Sequence, residues 1–197
     1  MLDTYARKYV EPHIGKVADF FIRRAVTPNQ VSGLAFAVGL GSGLATGSGL
    51  KLTAVGLLWL SGLFDTVDGS MARRLRQTSP WGTLIDITFD RIVEISVILG
   101  LGYLYPLARF HLMLLLAAII VSMTVFLTVG ALSKNTGSKS FYYQAGLAER
   151  TEGFIMSSLM ILFPGAIIPL TLIYAGAIIF TAGQRFLEAR RILNTRK

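Results

Sequence analysis

A chain of 197 residues has room for one domain, yet only 15% of it is charged and 53% is hydrophobic, against roughly 25% charged in soluble globular chains. With a mean hydropathy of +0.59, the composition argues against an ordinary soluble fold and for helices that share their apolar surface with one another and with lipid. The absence of cysteine excludes disulfides and thiolate metal sites, and the net charge of +8 suits nucleic acid or an anionic membrane face, depending on where the charges fall.

Residues 1–26 mix charged and apolar positions. Val10, Ile14, Val17 and Phe21 share one helical face, with Phe20 at its edge, which predicts a helix lying along the membrane surface despite Pro12. No uninterrupted apolar region of the kind a cleavable secretory signal needs is evident in this segment. Thr27-Pro28-Asn29 then supplies an N-cap and a proline at the first helical position. From there the apolar runs predict six membrane-spanning helices at about 30–48, 52–74, 82–103, 106–133, 151–164 and 166–187. The fifth is short unless it begins near Tyr142 and tilts.

The expected architecture is therefore an all-α integral membrane protein with a single domain. Its parts are an amphipathic interfacial helix (1–26), a six-helix bundle (27–187) and a basic cytoplasmic tail (188–197). Gly39, Gly43 and Gly47 recur every four residues in the first span, a spacing that lets helix backbones approach closely. The stripe reads as packing within the bundle ahead of a dimer contact, although a homodimer is the expected assembly.

An even number of spans puts both ends of the chain on one side, and the basic residues agree. Arg7, Lys8, Lys16, Arg23 and Arg24 precede the first span, and Arg73, Arg74 and Arg76 follow the second. Lys134, Lys139 and Arg150 lie between the fourth and fifth, and Arg185, Arg190, Arg191, Arg196 and Lys197 close the chain, while the other side shows only Lys51 and Arg109. The positive-inside rule then places both termini on the cytoplasmic side of an inner membrane. Topology and attraction to anionic lipid account for the basic charge, so no nucleic-acid partner is expected.

Against this apolar background stands "DTVDGSMARRLRQTSPWGTLIDITFD", residues 65–90. On helices, Asp65 and Asp68 share one face at the end of the second span, and Asp86 and Asp90 share another at the start of the third, with Ser79-Pro80 turning the chain between them. Four carboxylates at membrane depth repel one another and are costly unless a cation joins them. Hard oxygen donors without His or Cys point to magnesium or manganese. His13 and His111 fall on opposite sides of the expected membrane and make no shared site. Surface aspartates salt-bridged to Arg73, Arg74 and Arg91 are the plainer reading, but that leaves Gly69 and Gly82 beside the carboxylates unexplained. Glycine there, with Ala72, keeps space for a ligand, and arginine beside a divalent-cation site suits a phosphate or pyrophosphate.

The spacing Asp65-x2-Asp68-Gly69-x2-Ala72-Arg73-x8-Gly82-x3-Asp86-x3-Asp90 resembles the full signature of the CDP-alcohol phosphotransferase family, with all eight fixed positions present. Six spans, an N-terminal surface helix and the "TPN" at the head of the first span are similar to the same family. The resemblance implies transfer of a phosphatidyl or related group from a CDP-linked lipid, such as CDP-diacylglycerol, to an alcohol, with release of CMP. It implies Asp65, Asp68 and Asp86 as ligands of two Mg²⁺ or Mn²⁺ ions and Asp90 as the general base. Gly69, Ala72, Arg73 and Gly82 would form the CDP pocket, with Thr78 and Asn29 as further contacts.

For the acceptor, Lys134, Lys139, Arg150 and Arg185 near the cytoplasmic span ends would favour a phosphorylated alcohol. Glycerol 3-phosphate is the leading expectation, as in a phosphatidylglycerophosphate synthase. Phosphatidylglycerol (a CMP-forming cardiolipin synthase) and inositol phosphate are the alternatives. Two other classes use membrane carboxylates. An intramembrane prenyltransferase usually separates its aspartate motifs on two loops, and a cation transporter sets its carboxylates near mid-membrane on several helices.

Overall fold

The computed structural model describes residues 2–132 and 150–194, with side chains from Glu11 to Arg190 apart from Pro12. These residues are all-helical, in seven α-helices: α1 (Leu2–Arg23), α2 (Pro28–Gly47), α3 (Lys51–Arg74), α4 (Pro80–Leu104), α5 (Arg109–Leu132), α6 (Arg150–Leu162) and α7 (Ile167–Asn194). Single 3₁₀ turns at Pro106–Ala108 and Pro164–Ala166 lead into α5 and α7. The helices form two compact units, α1–α4 and α5–α7.

In the first unit the helix boundaries follow local chemistry. Thr27 caps α2 through a reciprocal pair with Gln30, its hydroxyl accepting from the Gln30 N–H while Gln30 Oε1 accepts from the Thr27 N–H, and Pro28 takes the first helical position. Ser79 and Pro80 repeat the pattern at α4, where Ser79 Oγ accepts from the Gly82 N–H at 3.0 Å. The helices α1, α2 and α3 each end with a residue in the left-handed region, Ala25 (φ 56°), Gly49 (φ 77°) and Arg76 (φ 54°). Behind each lies the paired backbone bonding of a Schellman cap, as in Gln77 N–H to Ala72 O and Arg76 N–H to Arg73 O.

The helix α2 is the axis of this unit. It runs antiparallel to α3 and parallel to α4, and those two pack along it while scarcely touching each other. Lipid offers apolar side chains as good a home as a neighbouring helix does, so close approach and polar links must hold such a bundle. Both are present. Ser42 Oγ donates to Ala54 O and Ser61 Oγ to Ala35 O, each at 2.8 Å, which ties α2 to α3. A Cβ on Gly39 would stand 2.8 Å from Ser61 Oγ and against Val93, one on Gly43 would meet Ser96, and Gly47 faces Gly100. The glycine stripe is thus packed inside the bundle, against α4.

The helix α1 turns its apolar face onto α3 rather than onto lipid alone. Ile14 and Ala18 are buried with Val31, Val67 and Met71, and Val17, Phe21 and Ile22 border the cluster. Phe20, at the edge of that face, is exposed beneath the Arg24 guanidinium, and Val10 lies among the residues whose side chains are not described.

In the second unit α5 and α7 pack along each other and α6 packs on α7. Tyr174 of α7 is buried with its hydroxyl against Gly153 of α6, where any Cβ would collide. The helix α7 continues to Asn194, so residues 188–194, expected as part of a tail, extend the helix instead. Among the described residues, two stretches, Pro106–Leu132 and Pro164–Arg190, are long and apolar enough to cross a membrane. Tyr142, from which the fifth span was expected to start if it tilts, lies outside the described residues.

Candidate active site

The last three turns of α3 and the first three of α4 carry the carboxylates. One oxygen from each of Asp65, Asp68 and Asp86 lies within 4.8 Å of the others. Asp68 is buried, Asp65 half-buried and Asp86 exposed, so the group opens to one side. Asp90, one turn further along α4, is near enough to Asp86 and Asp68 for their charges to interact.

Asp68 lies deepest, and its surroundings bear on what the group holds. The Ser32 hydroxyl of α2, which donates to Pro28 O at 3.1 Å, and the Gly69 N–H stand close to its carboxylate, and its Oδ2 is buried without a hydrogen-bond partner. A buried carboxylate oxygen left unpaired costs of order 1–3 kcal/mol or more, and a hard cation shared with Asp65 and Asp86 would remove that cost. The donor set is all oxygen, as magnesium or manganese prefers, and the residues fit such an ion.

The neighbouring arginines part company. Arg73 turns toward the carboxylates: its Nη1 lies over Gly69, 3.4 Å from where a Cβ would stand, and its charge is felt at Asp68. Arg74 turns the other way, to pair with Asp19 of α1 beside Gly15. Arg91 pairs with Glu94 on its own helix. Arg74 therefore has its partner outside the four aspartates, while the charge of Arg91 is also felt at Asp90.

The residues expected around CDP lie at the same end of this unit. Asn29 opens α2, Gly69, Ala72 and Arg73 are in the last turns of α3, Thr78 is in the connection, and Gly82 is in the first turn of α4. Asn29, Arg73 and Thr78 are exposed. The nearest atom to a Cβ on Gly82 would be Ser79 Oγ at 3.3 Å, and among the described residues nothing else stands within 4 Å of it.

Residues 25–183 match the family described as CDP-alcohol phosphatidyltransferase. The chain belongs to that family. Among its relatives is a phosphatidylinositol phosphate synthase of Corynebacterium glutamicum, 27% identical over 96% of this chain and 89% of that protein. Another is the inner membrane protein YnjF of Escherichia coli K12, 31% identical over 83% of each. Among solved structures, the phosphatidylinositol phosphate synthase of Mycobacterium tuberculosis with CDP-DAG bound superposes with a TM-score of 0.72 at 23% identity, covering 89% of this chain and 92% of that one. The same protein in complex with manganese and citrate gives 0.74 at 22%, covering 93% and 92%. At those identities the structural likeness is one of fold.

A CDP-alcohol phosphatidyltransferase is an enzyme, a membrane-embedded transferase of phospholipid biosynthesis, so the transporter and prenyltransferase readings give way. Of the four cations expected at the acceptor, Lys134 and Lys139 lie outside the described residues. Arg150 opens α6 with its guanidinium 5.5 Å from the Phe154 ring, and Arg185 stands 5.1 Å from the Phe126 ring within the α5–α7 unit. The sequence reading passed over Ser32, whose only signal is a small polar residue one turn into α2, and over the Asp19–Arg74 pair, which nothing in the spacing announces.

Proposed function

We propose that this enzyme transfers a phosphatidyl group from CDP-diacylglycerol to an inositol phosphate, releasing CMP. The observation that carries the donor half is the three-aspartate group with the unpartnered Asp68 Oδ2, beside the open turn at Gly82 and the Arg73 guanidinium. Asp65, Asp68 and Asp86 would hold two divalent cations. When bound, these supply positive charge to the pyrophosphate and to the departing CMP.

The chain's own residues do the rest. Arg73 offers a fork of donors to the pyrophosphate, and Gly69, Ala72 and Gly82, with Asn29 and Thr78, leave room for the nucleotide. Asp90 takes the proton of the acceptor hydroxyl as its oxygen bonds to the phosphatidyl phosphorus and the bond from that phosphorus to the CMP oxygen breaks.

The name of the Corynebacterium relative favours inositol phosphate, and neither relative described above is named for glycerol 3-phosphate, which yields its place as leading acceptor. Lys134, Lys139, Arg150 and Arg185 are the cations assigned to the acceptor's phosphate. The six-span topology, with both termini and the carboxylates on the cytoplasmic side, belongs to the same reading. The lengths of α2, α3 and α4, 20, 24 and 25 residues, support it at about 1.5 Å of rise per residue, and so does the sidedness of the basic residues. A homodimer remains part of the proposal.

Purified protein given radiolabelled CDP-diacylglycerol, Mg²⁺ or Mn²⁺ and a panel of alcohols tests both halves. Labelled phosphatidylinositol phosphate is the expected product. Product with glycerol 3-phosphate but not with inositol phosphate would reject the acceptor, and no product with any alcohol would reject the donor.

A further inference from the structure

The glycine stripe of α2 decides how close α4 comes, with Val93 over Gly39, Ser96 over Gly43 and Gly100 and Tyr103 by Gly47. At the carboxylate end the contact changes character. The rings of Phe36 and Phe89 stack with centroids 4.1 Å apart and planes 18° from parallel, both half-buried. Phe89 sits between Asp86 and Asp90 on α4, and Phe36 follows Ala35, whose carbonyl accepts from Ser61 Oγ of α3 at 2.8 Å. One turn of α2 therefore touches both carboxylate-bearing helices, and because α3 and α4 scarcely meet, the separation of Asp68 from Asp86 is set through it.

We propose that Phe36 is a positioning residue which, through Phe89, sets the rotation of α4 about its axis and so where Asp86 and Asp90 stand relative to Asp65 and Asp68. A carboxylate oxygen lies about 6 Å from its helix axis, so a turn of about 10° carries it about 1 Å. Cation ligands tolerate roughly 0.2 Å. Two stacked rings resist such a rotation because turning α4 slides one face off the other.

The inference rests on the aspartates being cation ligands, and the probe is Mn²⁺ alone, titrated into the purified full chain in detergent without CDP-lipid and followed by the EPR signal of free Mn²⁺. Phe36→Leu is expected to weaken Mn²⁺ binding about tenfold, the scale typical of residues that support metal ligands, and Phe36→Tyr, which keeps the ring, to stay within about twofold. Leu58→Ala, a core truncation on α3, controls for simple loosening: it should lower the melting temperature while leaving Mn²⁺ affinity within about twofold. If Phe36→Leu yields no folded protein, Phe36→Met, similar in length but ringless, is read in the same way. A ringless variant that binds Mn²⁺ within about twofold of wild type overturns the proposal. A wild-type protein that binds none overturns the cation-ligand reading, and this inference with it.

Discussion

The guanidinium of Arg74 is paired with the carboxylate of Asp19, 55 residues earlier in the chain, while its neighbour Arg73 faces the aspartates. Successive residues on a helix point about 100° apart, so one arginine is left for the site and the next for the helix that backs it. Both members of the pair are about half exposed, and solvent screening limits such a bridge to about 0.2–1 kcal/mol. Burial of Ile14, at about 1.5–3 kcal/mol, is the larger contribution to docking α1. Arg74→Gln is therefore expected to keep CDP-lipid affinity within about threefold, whereas Arg73→Gln lowers it at least tenfold through loss of a charge-assisted bond. Binding of labelled CDP-diacylglycerol to the two variants checks this; equal losses would put both arginines in one role.

Removal of divalent cations should abolish transfer, because three carboxylate oxygens within 4.8 Å otherwise repel a pyrophosphate. Saturating Mn²⁺ should also raise the melting temperature, since an ion that joins α3 to α4 bridges helices with little other contact. At about 100 times its dissociation constant, it adds about 2.7 kcal/mol. Full turnover after exhaustive chelation, or a melting temperature indifferent to Mn²⁺, would count against the assignment.

The carboxylates should separate by role. Asp90→Asn is expected to stop transfer and leave CDP-lipid binding largely intact, because it removes the base and spares the three clustered ligands. Asp68→Asn should weaken CDP-lipid binding as well. Measuring turnover and lipid affinity side by side on both variants decides it, and the same loss of affinity in each would refute the division.

Gly82→Leu replaces hydrogen with a side chain where, among the described residues, only Ser79 Oγ stands close. Leucine favours a helix over glycine by about 0.5–1 kcal/mol, so the folded protein should be no less stable. CDP-lipid affinity should fall at least tenfold if that space belongs to the nucleotide, a loss of about 1.4 kcal/mol. Unchanged affinity in the leucine variant would show the space to be idle.

Arg150→Gln and Arg185→Gln test the acceptor. Each is expected to raise the KM for inositol phosphate by roughly 10- to 150-fold, the equivalent of one charge-assisted hydrogen bond of about 1.5–3 kcal/mol, with little change for the CDP-lipid. If both leave the acceptor KM within about twofold, an uncharged alcohol becomes the better candidate.

Sequence by itself determined helix boundaries and which carboxylates share a face, because both depend on relationships within one or two turns. The Thr27-Pro28 and Ser79-Pro80 starts are local bonds, and the α3 and α4 boundaries lie close to the expected ones. Asp65 and Asp68 share a face by spacing alone, and the eight-residue signature carried the family. Tertiary structure decided what depends on partners distant in the chain. The backing of α3 by α1, the choice of Asp19 as the partner of Arg74, the nearness of Ser32 to Asp68 and the stacking of Phe36 on Phe89 all join residues more than 30 apart, and side-chain periodicity carries no information about which helix faces which. The glycine stripe shows the division most plainly: its spacing announced a close approach, and only the folded chain showed α4 to be what approaches.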